Sequence, residues 1–361
     1  MGVHSIAVTG ASGLVGHHLL PVLAAHPDVE RVLGLDVREP ERRPRNVEFA
    51  RVDIAGTELK PLLDGIDVVV HLAGVVDPVP DVGLMARVNV EGTRHVLDAA
   101  ASVGARRIVR ISSATVYGAW PNNPIPLTES AALRPNPHFS PAVQGAEVER
   151  LLAEWRAEHP DVTVTTLRSA PDVGPGAERL PARILLGRPP LRVRGAAMPV
   201  QVVHVDDLAA ALVLVATRDL PGVFNAAADG WLDAADARAL IPRSSVPALP
   251  AEAMERMLAR TWDLGLGDIP AGVVPYLTHP WVIANDKLKA AGWTPVHSNA
   301  DAIREAVATF PPRDARPAVI AGAGVAVAVT GATVVFRRHR RRRAVADSLP
   351  GGRRPASSGH Q

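Results

Sequence analysis

Val8-Thr9-Gly10-Ala11-Ser12-Gly13-Leu14-Val15-Gly16 follows the apolar run Ile6-Ala7-Val8 and opens a helical pattern with Leu14, Val15, Leu19, Val22 and Leu23 on one face. Strand, glycine-rich turn and helix in that order form a site for a pyrophosphate. Gly10 permits the tight turn, Gly13 lets backbone N–H groups approach the phosphates, and Gly16 lets helix and strand pack closely. Ser12, Leu14 and Val15 complete the turn, and the helix N-terminus presents unsatisfied donors and partial positive charge to the anion. Glycines at this spacing also serve ordinary turns. Their place between an opening strand and a helix favours the phosphate site.

Apolar runs rich in Val and Ile alternate with helical segments through the first half of the chain. Strands are predicted at Ser5–Thr9, Arg31–Asp36, Val47–Asp53, Val68–Leu72, Arg107–Ser112 and Thr163–Arg168, with helices near Val88–Val103 and Ala142–His159. Continuous apolar strands separated by helices indicate a doubly wound α/β fold, a parallel sheet covered on both faces. Ligands of such sheets lie at the carboxyl ends of the strands. Asp36 ends the second strand, twenty residues after Gly16. Its carboxylate suits the two ribose hydroxyls of NAD and repels the 2′-phosphate of NADP, a repulsion that Arg38 partly offsets. Asp53-Ile54 ends the third strand, where Asp can face the adenine amino group or cap a helix. His71-Leu72-Ala73-Gly74 ends the fourth, and its small residues let a cofactor pass close to the backbone.

Composition narrows the class. The chain has 361 residues, no cysteine, and only three lysines, Lys60, Lys287 and Lys289. A disulfide framework and a thiolate metal site are excluded, and no metal is expected. Residues 337–361 hold eight Arg against one Asp, about +7, so the remainder sums to −5 (+2 minus 7). A basic tail on a mildly acidic body argues against nucleic-acid binding, as does the lack of interleaved aromatics. Met1-Gly2-Val3-His4-Ser5 enters the first strand with no charged leader, so no signal peptide is expected.

With these residues in place the chain resembles the extended short-chain dehydrogenases/reductases of the NAD-dependent epimerase/dehydratase family. The likeness continues through Asn89-Val90-Glu91-Gly92-Thr93, Ile111-Ser112-Ser113-Ala114-Thr115-Val116-Tyr117-Gly118, Leu167-Arg168, Gly174-Pro175-Gly176, Val203-His204-Val205-Asp206-Asp207 and Ala291-Gly292-Trp293-Thr294-Pro295. It implies a Rossmann domain over residues 1–170 and a smaller C-terminal substrate lobe over 171–310, interleaved with the last Rossmann elements. It also implies NAD as cofactor, a small-molecule substrate, Asn89 supporting the active-site region, and Ser112 and Ser113 beside the nicotinamide. A homodimer is a candidate assembly.

The family carries proton transfer on a Tyr-x-x-x-Lys pair. That spacing puts both side chains on one helical face, and the lysine lowers the tyrosine pKa. This chain lacks the pair. Its two tyrosines, Tyr117 and Tyr276, have Pro121 and Pro280 four residues on, and the aligned helix puts Pro141 and Gly145 at the dyad positions. Ser113 is left as the catalytic serine, with His138 and Tyr117 as candidate replacement acids; the plainer readings are a strand-end polar residue and an exposed loop histidine. Arg168-Ser169-Ala170-Pro171 also departs from the family's Arg-Pro-x-Asn, which weakens a nucleotide-sugar assignment beside a lipid-linked alcohol or ketone. Asp206-Asp207 reads as a helix N-cap. The expectation is an NAD-dependent oxidoreductase, with a non-catalytic NAD(H) sensor or scaffold as the alternative.

Residues 311–316 read as a linker. Pro317 to Phe336 is 20 residues without a charge, enough for a membrane-spanning or membrane-associated helix, and the arginine-rich 337–361 reads as a disordered tail suited to anionic headgroups. A globular domain on the cytoplasmic side of a membrane is expected.

Overall fold

The computed structural model describes residues 4–186, 191–241 and 247–310. Its strands are β1 (Ser5–Thr9), β2 (Arg31–Asp36), β3 (Val47–Arg51), β4 (Val68–His71), β5 (Arg107–Ser113), β6 (Thr163–Ser169), β7 (Asp172–Val173), β8 (Val203–His204) and β9 (Gly222–Ala226). Seven form one parallel sheet in the order β3-β2-β1-β4-β5-β6-β9, while β7 and β8 pair apart from it. The order reverses between β1 and β4, which opens the cofactor crevice of a Rossmann fold at their carboxyl ends.

Every residue of β1 and β4 is buried, as strands covered on both faces require. Ile6, Val8, Val68 and Val70 face one layer, built with Leu19, Leu20 and Leu23 of the helix Leu14–Ala24 and Leu208, Leu212 and Val215 of Val205–Thr217. Ala7, Val69 and Ile108 face the other, against Val96 and Leu97 of Gly92–Ser102 and Val148, Leu151 and Leu152 of Ser140–Glu158. Alternation along each strand sends successive side chains to opposite layers. Pro141 lies in the first turn of its helix, where a missing N–H costs nothing. A further core under the carboxyl edge joins Phe139, Leu180, Met254, Leu258, Val273 and Tyr276.

The six predicted strands are present, with ends within two residues, the third stopping at Arg51. β9 was not predicted: Gly222-Val223-Phe224-Asn225-Ala226 is short, and only its pairing with β6 identifies it. The cap reading of Asp206-Asp207 is corrected. His204 is the N-cap, its Nδ1 accepting from the Asp206 N–H at 3.2 Å. Asp207 is buried and accepts from the N–H groups of Val296 and His297 at 3.0 and 2.9 Å, tying the segment before the helix Asn299–Thr309 to the helix Val205–Thr217.

The described residues up to Phe310 belong to one compact unit. Among the described residues no helix is long and apolar enough to cross a membrane. The expected linker 311–316, helix 317–336 and tail 337–361 lie outside the described residues.

Candidate functional site

Gly10 turns the chain out of β1 with φ +72°, and its N–H donates to the Leu35 carbonyl at 2.8 Å. A Cβ there would stand 2.6 Å from the Ala73 nitrogen and 2.7 Å from the Leu72 carbonyl carbon. The ends of β1 and β4 therefore approach as bare backbone. Gly13 is the N-cap of the helix Leu14–Ala24 with no side-chain cap, so its first-turn donors remain available to an anion. At Gly16 a Cβ would lie 2.5 Å from the Ala11 carbonyl oxygen. Val15 and Gly16 are buried against the sheet, whereas Ser12, Gly13 and Leu14 stay half-buried at the opening.

Asp36 ends β2 beside this turn. One carboxylate oxygen accepts from the Ser12 N–H at 3.0 Å and the other from the Arg38 N–H at 3.1 Å. Both oxygens keep a lone pair for ribose hydroxyls. The Ser12 hydroxyl donates to the Arg38 carbonyl, and the Arg38 side chain is exposed. Asp53 accepts from the Ala55 N–H at 3.0 Å in a local turn, and buried Ile54 packs against Gly92, where a Cβ would meet it at 2.9 Å. On β4's side, Asn89 lies in a π-helical turn, Arg87–Glu91, that directs its amide inward. It accepts from the Val75 N–H at 2.7 Å and donates to the Val75 carbonyl at 3.1 Å and to Gln144 at 2.9 Å. Leu72-Ala73-Gly74 is thus held at both ends, by Asn89 at Val75 and by Thr9, whose carbonyl accepts from the Leu72 N–H at 3.0 Å and whose hydroxyl accepts from the Ala73 N–H at 3.3 Å.

Ser112 and Ser113 end β5. The Ser112 hydroxyl donates to Glu149 at 2.6 Å and faces the layer. The Ser113 hydroxyl accepts from the Thr115 N–H at 3.2 Å and closes a short turn, Ala114–Tyr117. Pro141 and Gly145 stand on the facing helix, and a Cβ at Gly145 would meet Val116 at 3.0 Å. Neither tyrosine is a base. Tyr117 is buried, donating to Asn225 at 2.8 Å and accepting from Arg168 at 2.7 Å, and burial raises its pKa. Tyr276 donates to the Thr115 carbonyl at 2.8 Å, and burial raises its pKa further. His138 is exposed; its neighbour Phe139 turns inward.

Beyond Ser113 lies an apolar cavity of about 130 Å³ walled by Ala114, Phe139, Ala170, Leu180, Met198 and Trp281, among others. No charged side chain lines it among the described residues. Its polar members are committed elsewhere. Tyr276 is bonded to Thr115, and Gln201 accepts from the Ile283 N–H at 2.8 Å and donates to the Ile283 and Gly230 carbonyls.

Sequence reading missed two cations. Arg179 brings a terminal nitrogen within 3.1 Å of where a Gly13 Cβ would be, over the phosphate turn. Only its place three residues after Gly176 signalled this. Arg110 is buried in β5, where a charged residue in an apolar strand was the signal.

A profile of the NAD dependent epimerase/dehydratase family matches residues 6–227. The chain belongs to this family. It is 31% identical over 324 residues to a 3-diazoavenalumate denitrifying reductase from Streptomyces sp., covering 81% of this chain and 96% of that protein. An uncharacterized protein of Mycobacterium tuberculosis is 31% identical over 252 residues, 67% of each chain. Among solved structures, UDP-glucose 4-epimerase of Thermus thermophilus in complex with NAD superposes with TM-score 0.66 at 22% identity, covering 85% of this chain and 98% of that one. The UDP-N-acetylglucosamine 4-epimerase of Methanobrevibacter ruminantium gives 0.65 at 19%, covering 86% and 99%. The family's cofactor is NAD, and the bare β1–β4 crevice, the uncapped helix and Asp36 fit it.

One titration is built into the wall of this epimerase/dehydratase site. His71 is fully buried, its Nδ1 2.6 Å from the Thr9 hydroxyl and its Nε2 2.9 Å from the Thr93 hydroxyl. Burial first, and the Arg110 charge second, hold its pKa well below the ordinary 6.5. The unfolded chain takes up this proton near pH 6.5 and the folded one does not. The stability His71 contributes is therefore complete above pH 6.5 and declines as pH falls below it, by up to about 1.4 kcal/mol per pH unit. Thermal melts should drop between pH 7 and 5, and His71→Gln should flatten that slope; an unchanged slope refutes the assignment.

Proposed function

We propose that this protein is an NAD-dependent oxidoreductase that transfers hydride to or from an apolar small molecule, without a tyrosine–lysine proton relay of its own. The observation that carries this reading is the uncharged cavity lined by Ala114 and Thr115, the two residues that follow Ser113, and by Phe139, which precedes the helix bearing Pro141 and Gly145 where the family keeps its dyad. NAD supplies the hydride carrier. Asp36 holds its adenine ribose, the Gly10–Gly16 turn with Arg179 holds the pyrophosphate, and Leu72-Ala73-Gly74 offers bare backbone between them. The Ser113 hydroxyl has a free donor and orients the substrate oxygen or other polar atom at the cavity mouth. Phe139, Trp281 and Met198 exclude water from the apolar part.

A nucleotide-sugar suits the cavity poorly, because a pyrophosphate buried against uncharged walls loses its hydration with no compensating cation. The Streptomyces relative's name places it among reductases and not epimerases, which agrees with net hydride transfer. A singly charged, delocalised organic cation loses far less hydration on burial than a pyrophosphate, and on taking hydride it becomes neutral and calls on no acid, so the missing dyad does not forbid turnover. The sensor or scaffold reading has no observation in its favour beyond that missing dyad.

The test mixes the protein and NADH with a panel of aryl and alkyl ketones and cationic acceptors, and separately with UDP-glucose. Loss of the reduced-nicotinamide absorbance is expected with members of the apolar panel and not with UDP-glucose. His138→Ala should leave that rate within about twofold, since exposed surface changes seldom exceed half a kcal/mol. Turnover of UDP-glucose alone would overturn the proposal. We also propose that residues 317–336 tether the domain to a membrane, which predicts its loss from the pelleted membrane fraction when 317–361 are deleted.

A further inference from the structure

Arg110 is paired in register with His71, so its side chain points into the layer under the helices Gly92–Ser102 and Ser140–Glu158. It is 9% exposed. Among the described residues it makes no hydrogen bond or ion pair, and its Nε is buried without a partner. The neighbours cannot serve it. Both Glu149 oxygens are taken by Arg168, at 2.9 and 3.1 Å from Nε and 2.5 Å from Nη2, and by Ser112. The Asn89 amide is committed to Val75 and Gln144, and the His71 ring to Thr9 and Thr93. The Glu149 charge favours the guanidinium from a distance, but a desolvated cation that makes no hydrogen bond is costly, and a ligand that completes it explains its retention.

Its terminal nitrogens lead to the crevice. One lies 3.8 Å from where a Gly74 Cβ would be, a point 3.1 Å from the Asn89 Oδ1. Gly74 closes the bare segment that borders the cofactor. Asn89 in turn holds Gln144, next in sequence to Gly145, the position that in this family carries the lysine.

We propose that Arg110 is a cofactor-binding residue that replaces the missing lysine ammonium from the strand side, donating from its terminal nitrogens to the ribose hydroxyls of the nicotinamide half of NAD. This rests on the NAD crevice described above. A guanidinium supplies paired donors but no proton at neutral pH, so Arg110 fastens the nicotinamide half and leaves proton transfer to the substrate's own chemistry.

Calorimetric titration of the full chain with NAD and with ADP, which lacks the nicotinamide half, tests this. Arg110→Met should weaken NAD about tenfold or more, the worth of a charge-assisted hydrogen bond, with ADP affinity unchanged. Its melting temperature without ligand should be equal or higher, because an unpaired buried charge is gone. Arg110→Gln, shorter and uncharged, should lose NAD affinity as Met does, and Arg110→Lys should retain most of it. NAD affinity unchanged in R110M and R110Q overturns the proposal. So does an equal loss of NAD and ADP affinity with a lower melting temperature, which marks a packing role only. Failure of the unaltered protein to bind NAD removes the crevice reading itself and is seen before any variant is made.

Discussion

Glu149→Ala should destabilise the domain by about 3–5 kcal/mol, the usual cost of breaking a buried ion pair from one side. Arg168 and Glu149 have side chains only 6% and 5% exposed, and Arg168 meets the carboxylate with both Nε and Nη2. The same guanidinium donates to Tyr117, which bonds Asn225 of β9, and Ser112 completes the carboxylate. One network thus clamps β5, β6, β9 and the helix Ser140–Glu158. Alanine leaves Arg168 charged and half-satisfied, and opens a void where the carboxylate stood. Replacing both with methionine should recover much of the loss, since a packed apolar pair carries no desolvation cost. Urea unfolding at neutral pH measures both. A single-variant loss under about 1 kcal/mol would show that the pair is solvated in solution.

Gly10→Ala should weaken NAD binding about a hundredfold, equivalent to about 2.7 kcal/mol. Two costs combine. The residue sits at φ +72°, where an L side chain costs about 1–2 kcal/mol. The new Cβ would also stand 2.6–2.9 Å from backbone atoms of Leu72 and Ala73, which have no rotamer to yield. Relief requires β4's end or the turn itself to move, and either displaces the donors of the uncapped helix. Fluorescence titration with NAD, beside a thermal melt, separates lost binding from lost fold. Affinity within threefold of the unaltered protein would mean that the cofactor does not use this turn.

Some of this was legible in the chain alone. Uninterrupted Val and Ile runs declared strands buried on both faces, because only a parallel sheet between helix layers shields such runs. Gly10, Gly13 and Gly16 declared the tight strand–turn–helix, because the backbone approach at Gly10 and Gly16 leaves no room for a side chain. The place of Asp36 at the end of β2, bonded to the Ser12 N–H of that turn, was legible from its distance from Gly16. The absent dyad was equally plain, since identity alone excludes a relay: neither Pro141 nor Gly145 can carry a proton.

Other features belong to the tertiary structure. β9 joins the sheet through long-range pairing that no local pattern announces. Asp207, which reads as a cap from its position before an apolar helix, instead holds Val296 and His297, partners nearly ninety residues distant. Arg179 over Gly13 and Arg110 beneath Gly74 are arginines like many others in an arginine-rich chain. The burial of Arg110 and its unpartnered Nε arise from strand register and helix packing. Periodicity and backbone sterics are properties of neighbouring residues, so the sequence by itself determined the Rossmann sheet, the cofactor turn and the loss of the dyad. Electrostatics depend on which groups are brought together and which are left without water. Only the tertiary structure therefore decided that the cavity beyond Ser113 is uncharged and that a buried guanidinium without a hydrogen bond among the described residues lies beneath Gly74.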